Sequence, residues 1–200
     1  MKSRLIIIIV LFFCSLGVHA QKKNNIVIGA SPFGQVHINM KKEDEKYKYD
    51  FKNYISGGLQ YENSHHGITS LTELNYFRAN YDKSDLQGIS TEHFNPVCTE
   101  NIFGASLTQY IGVVINPKGS VQLPIYLGLG ADYLNNSAFL HHFTGDIAAK
   151  ARLKIFFDKI GVYVGGSGRA GFGVKGGSEH QGYNITTMLW SVDAGLIIGI

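Results

Sequence analysis

Met188, Trp190, Val192, Ala194, Leu196, Ile198 and Ile200 occupy every second position to the end of the chain, with Thr187, Ser191, Asp193, Gly195 and Gly199 between them. A strand turns successive side chains to opposite faces, so the segment from about 183 to 200 has one greasy face and one small, polar face. A helix would scatter both sets around its axis. This period of two recurs through the whole chain after residue 20, and it limits the fold to sheet.

Upstream, Ile160, Val162, Val164, Ala170, Phe172 and Val174 share one face, opposite Tyr163, Ser167, Arg169 and glycines 161, 165, 171 and 173. Between Asp146 and Phe157 the apolar set is Ile147, Ala149, Ala151, Leu153, Ile155 and Phe157, interleaved with Lys150, Arg152 and Lys154. From about 121 to 133, Val121, Leu123, Ile125, Leu127 and Leu129 oppose Gln122, Tyr126, Gly128, Gly130 and Asp132. From about 102 to 115, Phe103, Leu107, Ile111 and Val113 oppose Ser106, Thr108 and Tyr110, with Gln109 interrupting the apolar face. The first strand, about 26–40, places Ile26, Ile28, Ala30, Val36 and Ile38 outward and Gln35, His37 and Asn39 inward. The second, about 51–62, places Phe51, Ile55, Leu59 and Tyr61 outward and Ser56, Gly58, Gln60 and Glu62 inward. The third, about 68–81, has conflicting signals: Glu73 and Asn75 put odd positions inside, which sends Leu71 and Phe77 there as well.

This reading gives eight strands, an even number that suits closure into a barrel. The connections alternate in length. Asn63 to Gly67, Asn116 to Ser120 and Asp158-Lys159 are short, whereas Lys41 to Asp50, Asp82 to Asn101, Leu134 to Gly145 and Lys175 to Gly182 are generally longer and polar. Periplasmic turns and external loops of a membrane barrel differ in this way.

The N-terminus adds an export route. Lys2 and Arg4 precede the apolar run Leu5 to Leu16, and Val18-His19-Ala20 fits a cleavage site, so residues 1–20 are expected to be a signal peptide and 21–200 the mature barrel domain beginning at Gln21. The apolar run is too short for a transmembrane helix. Cys14 would suit a lipid anchor, but Phe13 stands where lipoprotein processing wants a small side chain. After cleavage only Cys98 remains, which excludes an intramolecular disulfide.

Removing Lys2 and Arg4 from 18 basic residues leaves 16 against 15 acidic ones, a balance that argues against a nucleic-acid partner. With 24 glycines, 12 Phe, 11 Tyr and only 4 prolines, the composition favours strands over helices. No stretch beyond residue 20 is long and apolar enough for a spanning helix, and closed sheet is the remaining way to satisfy backbone polar groups in lipid. Tyr47, Tyr49, Tyr54, Tyr76, Tyr81, Tyr133, Phe156, Phe157, Tyr183 and Trp190 lie in or near strand ends, where aromatic girdles form.

Asp193, Gly195, Ile198 and Ile200 resemble the terminal signal read by the outer-membrane assembly machinery: a polar residue, glycine two later, then two hydrophobic positions at spacing two. Ile200 replaces the usual final aromatic. With the eight-strand pattern, the whole mature chain resembles the small OmpA/OmpX-like outer-membrane β-barrel superfamily, without a following peptidoglycan-binding domain. The resemblance implies an all-β, antiparallel up-and-down transmembrane barrel in the outer membrane of a Gram-negative cell. It also implies contact with outer-membrane lipids and lipopolysaccharide, and assembly through the C-terminal strand, as a monomer.

The expected lumen holds Glu62, Glu73, Asp132 and Asp193 with Lys150, Arg152, Lys154 and Arg169. An eight-strand interior is narrow enough to be filled by side chains, and buried charges must be paired, so these groups read as a polar core, with a narrow pore as the alternative. Some barrels of this size modify lipid A; their deacylases resemble a Ser–His–acid arrangement, commonly in a His-x-Ser-Asn string that is missing here. His37 and Ser56 are expected inside on adjacent strands, where lipid has no access. His93, His141, His142 and His180 fall in expected external loops without metal-motif spacing, and Lys41 to Asp50 reads as a solvated hairpin extension. No P-loop, Cys-x-x-Cys or dinucleotide turn occurs, and Gly165 to Arg169 lies within a strand pattern. The reading is therefore a non-enzymatic envelope barrel with no cofactor, catalytic or metal residues, in a structural or surface-interaction role. The alternatives are a small pore or transport accessory, a lipid A-modifying enzyme and a soluble lipocalin-like carrier, the last requiring an apolar lumen.

Overall fold

The computed structural model describes residues 23–42, 45–87, 101–136, 140–174 and 184–200. The expected signal peptide, its cleavage site, Cys98, His93, His180 and Tyr183 lie outside them. Eight strands are present: β1 (Lys23–Lys42), β2 (Glu45–His65), β3 (Ile68–Gln87), β4 (Ile102–Ile115), β5 (Val121–Asn136), β6 (Leu140–Phe157), β7 (Ile160–Val174) and β8 (Asn184–Gly199). Each pairs antiparallel with its neighbour, and β8 pairs with β1 to close an up-and-down barrel.

The short turns sit at one end, and their backbone explains their sequences. His66 (φ 54°) and Gly67 (φ 84°) form the two-residue link from β2 to β3, and Asn116 (φ 59°) and Asp158 (φ 62°) take the left-handed conformation in the other two. Left-handed backbone suits Gly, Asn and Asp and matches the twist of a tight hairpin. At the other end, strands extend through most of two of the expected loops. Lys41 to Asp50 and Leu134 to Gly145 are mostly strand, because the polar ends of β1, β2, β5 and β6 keep their cross-strand partners: Lys41 pairs with Lys46 and Asp132 with Thr144. Only residues 43–44 and 137–139 lie between those strands.

Strands β4 to β8 face as their alternation predicts. Leu107, Ile111, Leu127, Leu129, Ile147, Leu153, Val164, Met188 and Leu196 are exposed, whereas Thr108, Tyr110, Tyr126, Lys150, Arg152, Lys154, Arg169 and Asp193 are buried. In β3 the conflict resolves in favour of odd positions inside: Leu71, Glu73, Asn75, Phe77 and Ala79 are all buried, and Leu74 and Tyr76 face out. Thr72 Oγ1, pointing outward, donates to Gln109 Oε1 on the outer face (2.6 Å), and Gln109 Nε2 donates to the Tyr110 carbonyl (3.3 Å), so both polar groups are satisfied within the lipid-facing wall.

β1 and β2 depart from unbroken alternation. The β1–β8 register shifts between Ala30 and Phe33, around Pro32, and the β2–β3 register shifts at Asp50/Phe51 and Lys52/Ile55, where Asn53 has φ 52°. A bulge adds one residue to a strand and swaps its faces beyond that point. Pro32, which has no N–H to give the ladder, marks the extra position in β1. Ile26, Ile28 and Ala30 face out as expected, but Val36 and Ile38 turn inward and Gln35, His37 and Asn39 turn outward. Phe51 likewise turns inward, whereas Ile55, Leu59 and Tyr61 stay outside.

The barrel interior is therefore layered. Near the turns, Val27, Tyr163 and Ile197 cluster with Phe156 against them. The charged layer lies above. Toward the loop end, Val36, Ile38, Met40, Tyr49, Phe51, Tyr54, Phe77, Ala79, Ile102, Leu134, Ile185 and Leu189 form an apolar cluster across the barrel. Aromatic side chains ring the outside: Phe33, Tyr76, Phe103, Phe143, Phe172 and Trp190 toward the loop end, Tyr61 and Phe157 toward the turns. Of the aromatics expected in girdles, Tyr49 and Tyr54 instead belong to the interior cluster, Tyr81 packs against it, and Phe156 packs inside near the turns.

Candidate functional site

The charged layer is built from alternate inward positions on β2, β3, β5, β6, β7 and β8. All eight charges assigned to the lumen from the sequence are there, and all are buried. Glu62 is held by Lys154, by Thr69 Oγ1 (3.0 Å), by the Tyr126 hydroxyl (2.8 Å) and by Asn25 Nδ2 (3.2 Å). Glu73 pairs with Lys150 and accepts from Arg169 Nη2 (2.8 Å) and Asn75 Nδ2 (2.7 Å). Arg169 also donates through Nη1 to Asp132 Oδ1 (3.0 Å), so one guanidinium ties β3 to β5 through β7.

Arg152 donates to Asp193 Oδ2 through Nη2 (2.8 Å) and Nε (3.1 Å), and its guanidinium lies 4.1 Å from the centre of the Tyr163 ring. Arginine keeps its charge when desolvated and uses its planar fork on carboxylates and rings, which suits it to this position. These bonds brace opposite walls. A single unpaired charge in such a layer costs several kcal/mol, and mutual pairing offsets that cost.

Asp146 belongs to the same layer and was missed as a lumen acid. It is 4 % exposed, and neither carboxylate oxygen has a hydrogen-bond partner. Its even position, in phase with Lys150, Arg152 and Lys154, is the sequence signal that places it inside.

The histidine–serine pairing considered from the sequence does not form. His37 faces outward beyond the bulge, where its Nδ1 lies 2.6 Å from Asp50 Oδ1, while Ser56 is buried inside. His141 and His142 belong to β6, but their side chains lie outside what is described. Among the described residues no group of three or more His, Cys, Asp or Glu is placed to hold a metal ion. Above the bulges the outer wall turns polar. Lys41, Lys46 and Lys48 are exposed there, Lys52 pairs with Asp82 (2.9 Å), and Arg78 lies 5.5 Å from the Phe103 ring centre.

Strand order, closure and an apolar outer belt around a charged interior define an eight-stranded antiparallel transmembrane β-barrel of up-and-down topology. No protein-family model matches the chain, and no curated protein matches it. Among solved structures it is similar to Neisserial surface protein A, with 11% identity over 86% of this chain and 96% of that one at a TM-score of 0.45. It is similar to the Escherichia coli outer membrane protease OmpT, with 9% identity over 91% and 99% of the two chains and a TM-score of 0.48. It is also similar to Ail of Yersinia pestis, solved with a heparin analogue, with 13% identity over 88% and 99% and a TM-score of 0.35.

Proposed function

We propose that the chain is a non-enzymatic outer-membrane protein of a Gram-negative envelope, exported by a cleaved signal peptide and working through its wall and external loops. The observation that carries this reading is the apolar cluster from Val36 to Leu189, which fills the loop end of the barrel above an ion-paired layer. A conducting lumen needs a continuous polar path, and packed apolar side chains oppose one. The same inversion of faces puts polar groups outside at the level where β1 and β2 leave the lipid belt.

The partner that suits this wall is the phosphorylated glycolipid of the outer leaflet. Lys41, Lys46 and Lys48 point outward, and no ion pair engages them among the described residues. Lysine ammonium groups bind phosphate as point charges. The C-terminal Asp193, Gly195, Ile198 and Ile200 are the residues through which the assembly machinery would receive the barrel. Closure leaves no free sheet edge for a partner strand, which suits a monomer.

Cell fractionation with planar-bilayer recording tests the proposal. The expected result is a heat-modifiable band in the outer-membrane fraction and no conductance above background. A protein that stays in the aqueous fraction without detergent, or steady single-channel steps from pure protein, overturns it.

A further inference from the structure

The buried charges of the barrel do not balance. Among the described residues, Glu62, Glu73, Asp132, Asp146 and Asp193 are buried with only Lys150, Arg152, Lys154 and Arg169. Asp146 is the acid left over. Arg169, on the adjacent strand, is committed to Glu73 and Asp132, and both oxygens of Asp146 lack a hydrogen-bond partner.

The surroundings of Asp146 are rich in oxygen, and neither neighbouring strand presents a side chain at its level. Its two cross-strand neighbours are glycines, Gly130 on β5 and Gly171 on β7. A Cβ at position 130 would lie 2.6 Å from Thr108 Oγ1, 2.8 Å from the Leu107 carbonyl oxygen and 3.0 Å from Asp146 Oδ1. A Cβ at position 171 would lie 2.2 Å from Thr187 Oγ1, which fills that side, and 3.1 Å from Thr144 Oγ1. Thr108 is 0 % exposed and Thr144 1 %, and each hydroxyl oxygen lacks a partner. Three independent oxygens thus converge on the space over Gly130, and a further unsatisfied hydroxyl flanks the carboxylate on its other side.

We propose that Asp146, Thr108 and the Leu107 carbonyl hold a monovalent alkali cation, sodium or potassium, inside the barrel beside Gly130. Hard cations take carboxylate, carbonyl and hydroxyl oxygens, and the side chains here offer no nitrogen or sulfur ligand. One positive charge removes the excess of five carboxylates over four bases. A divalent ion would reverse the imbalance. The cation lies beside Gly130, where a larger side chain would displace it, and it is taken up as the walls close around the buried carboxylate. The site lies outside the proposed lipid-contact wall and does not depend on that role.

The test is to refold the full chain into detergent in sodium, potassium or choline chloride at equal ionic strength and mildly alkaline pH. Thermal midpoints are then read from gel migration. The wild type is expected to melt higher in sodium or potassium than in choline, by on the order of 5–10 °C when the cation is about a hundredfold above its dissociation constant. Comparing the two alkali salts identifies the ion. The difference should vanish in Asp146→Asn and shrink in Thr108→Val, a variant that leaves the carboxylate in place. Equal wild-type midpoints in all three salts overturn the proposal, as does a salt difference that persists in Asp146→Asn. Stabilisation by Asp146→Asn without any wild-type salt dependence also overturns it, because a proton then neutralises the acid.

Discussion

Glu62 on β2 and Lys154 on β6 form an ion pair across the lumen, joining positions 92 residues apart in the chain. The pair fixes two walls that share no hydrogen-bonded edge. Removing one partner and removing both should therefore give different results. Lys154→Ala leaves the Glu62 carboxylate buried with only neutral donors and is expected to destabilise the barrel by about 3–5 kcal/mol. Glu62→Gln with Lys154→Met keeps the volume without the charges and should recover most of that loss. Urea unfolding in detergent, followed by gel mobility, measures both, and equal losses would show that the pair acts only through packing.

The change of face at Pro32 makes a sharper prediction. Deleting Pro32 removes the extra residue from β1, so Val36, Ile38 and Met40 would turn toward water and Gln35, His37 and Asn39 toward the interior. Each apolar side chain lost from the interior forfeits about 1.5–3 kcal/mol, so the folded fraction should collapse. Pro32→Ala keeps the residue count and should fold to near wild-type yield. Cysteine labelling at position 36 distinguishes the faces: Val36→Cys is expected to resist labelling in the Pro32→Ala background.

These two strands also show what the sequence could and could not reveal. From β5 to β8 the pairing register does not shift from strand to strand, and parity assigned Leu127, Lys150, Arg169 and Trp190 to their correct faces. In β1 and β2 the same parity carried through Pro32 and Asn53 placed Val36, Ile38 and Phe51 on the wrong side. Alternation reports relative facing only within an unbroken register: Pro32 sits at a break, whereas Pro124 in β5 leaves register and facing unchanged. Leu71 and Phe77 looked out of place because a charged lumen was expected along the full barrel. Phe77 in fact belongs to the apolar layer, and Leu71 packs with Tyr110, Tyr126 and Ala148 within the polar one. The ion-pair partners were not legible, because pairing across the lumen depends on the stagger around the barrel and not on any local spacing.

Phe51 lies in the apolar layer that fills the loop end, edge-on to Tyr81 with ring centroids 6.2 Å apart. Phe51→Ala opens a cavity there, and the expected loss is about 3–5 kcal/mol, seen as a lower unfolding midpoint. Conductance should remain at background, since Tyr54, Phe77 and Ile38 still cover the charged layer. Steady current through the Phe51→Ala barrel would show that one side chain closes the lumen.

Leu127 is 69 % exposed and stands between Ile111 and Ala149 in the middle of the apolar belt. Lys48 is exposed on the polar wall above the bulges. In lipid vesicles Leu127→Arg should cost about 2–4 kcal/mol, because the guanidinium must be stripped of water at mid-membrane depth. Lys48→Ala should stay within about 0.5 kcal/mol, as expected for a solvated side chain away from packing. In aqueous detergent the Leu127→Arg penalty should shrink, since the charge can reach water through a micelle. Equal penalties at the two sites in vesicles would mean that the exposed apolar belt does not meet lipid, and the transmembrane reading of the barrel would then fail at its base.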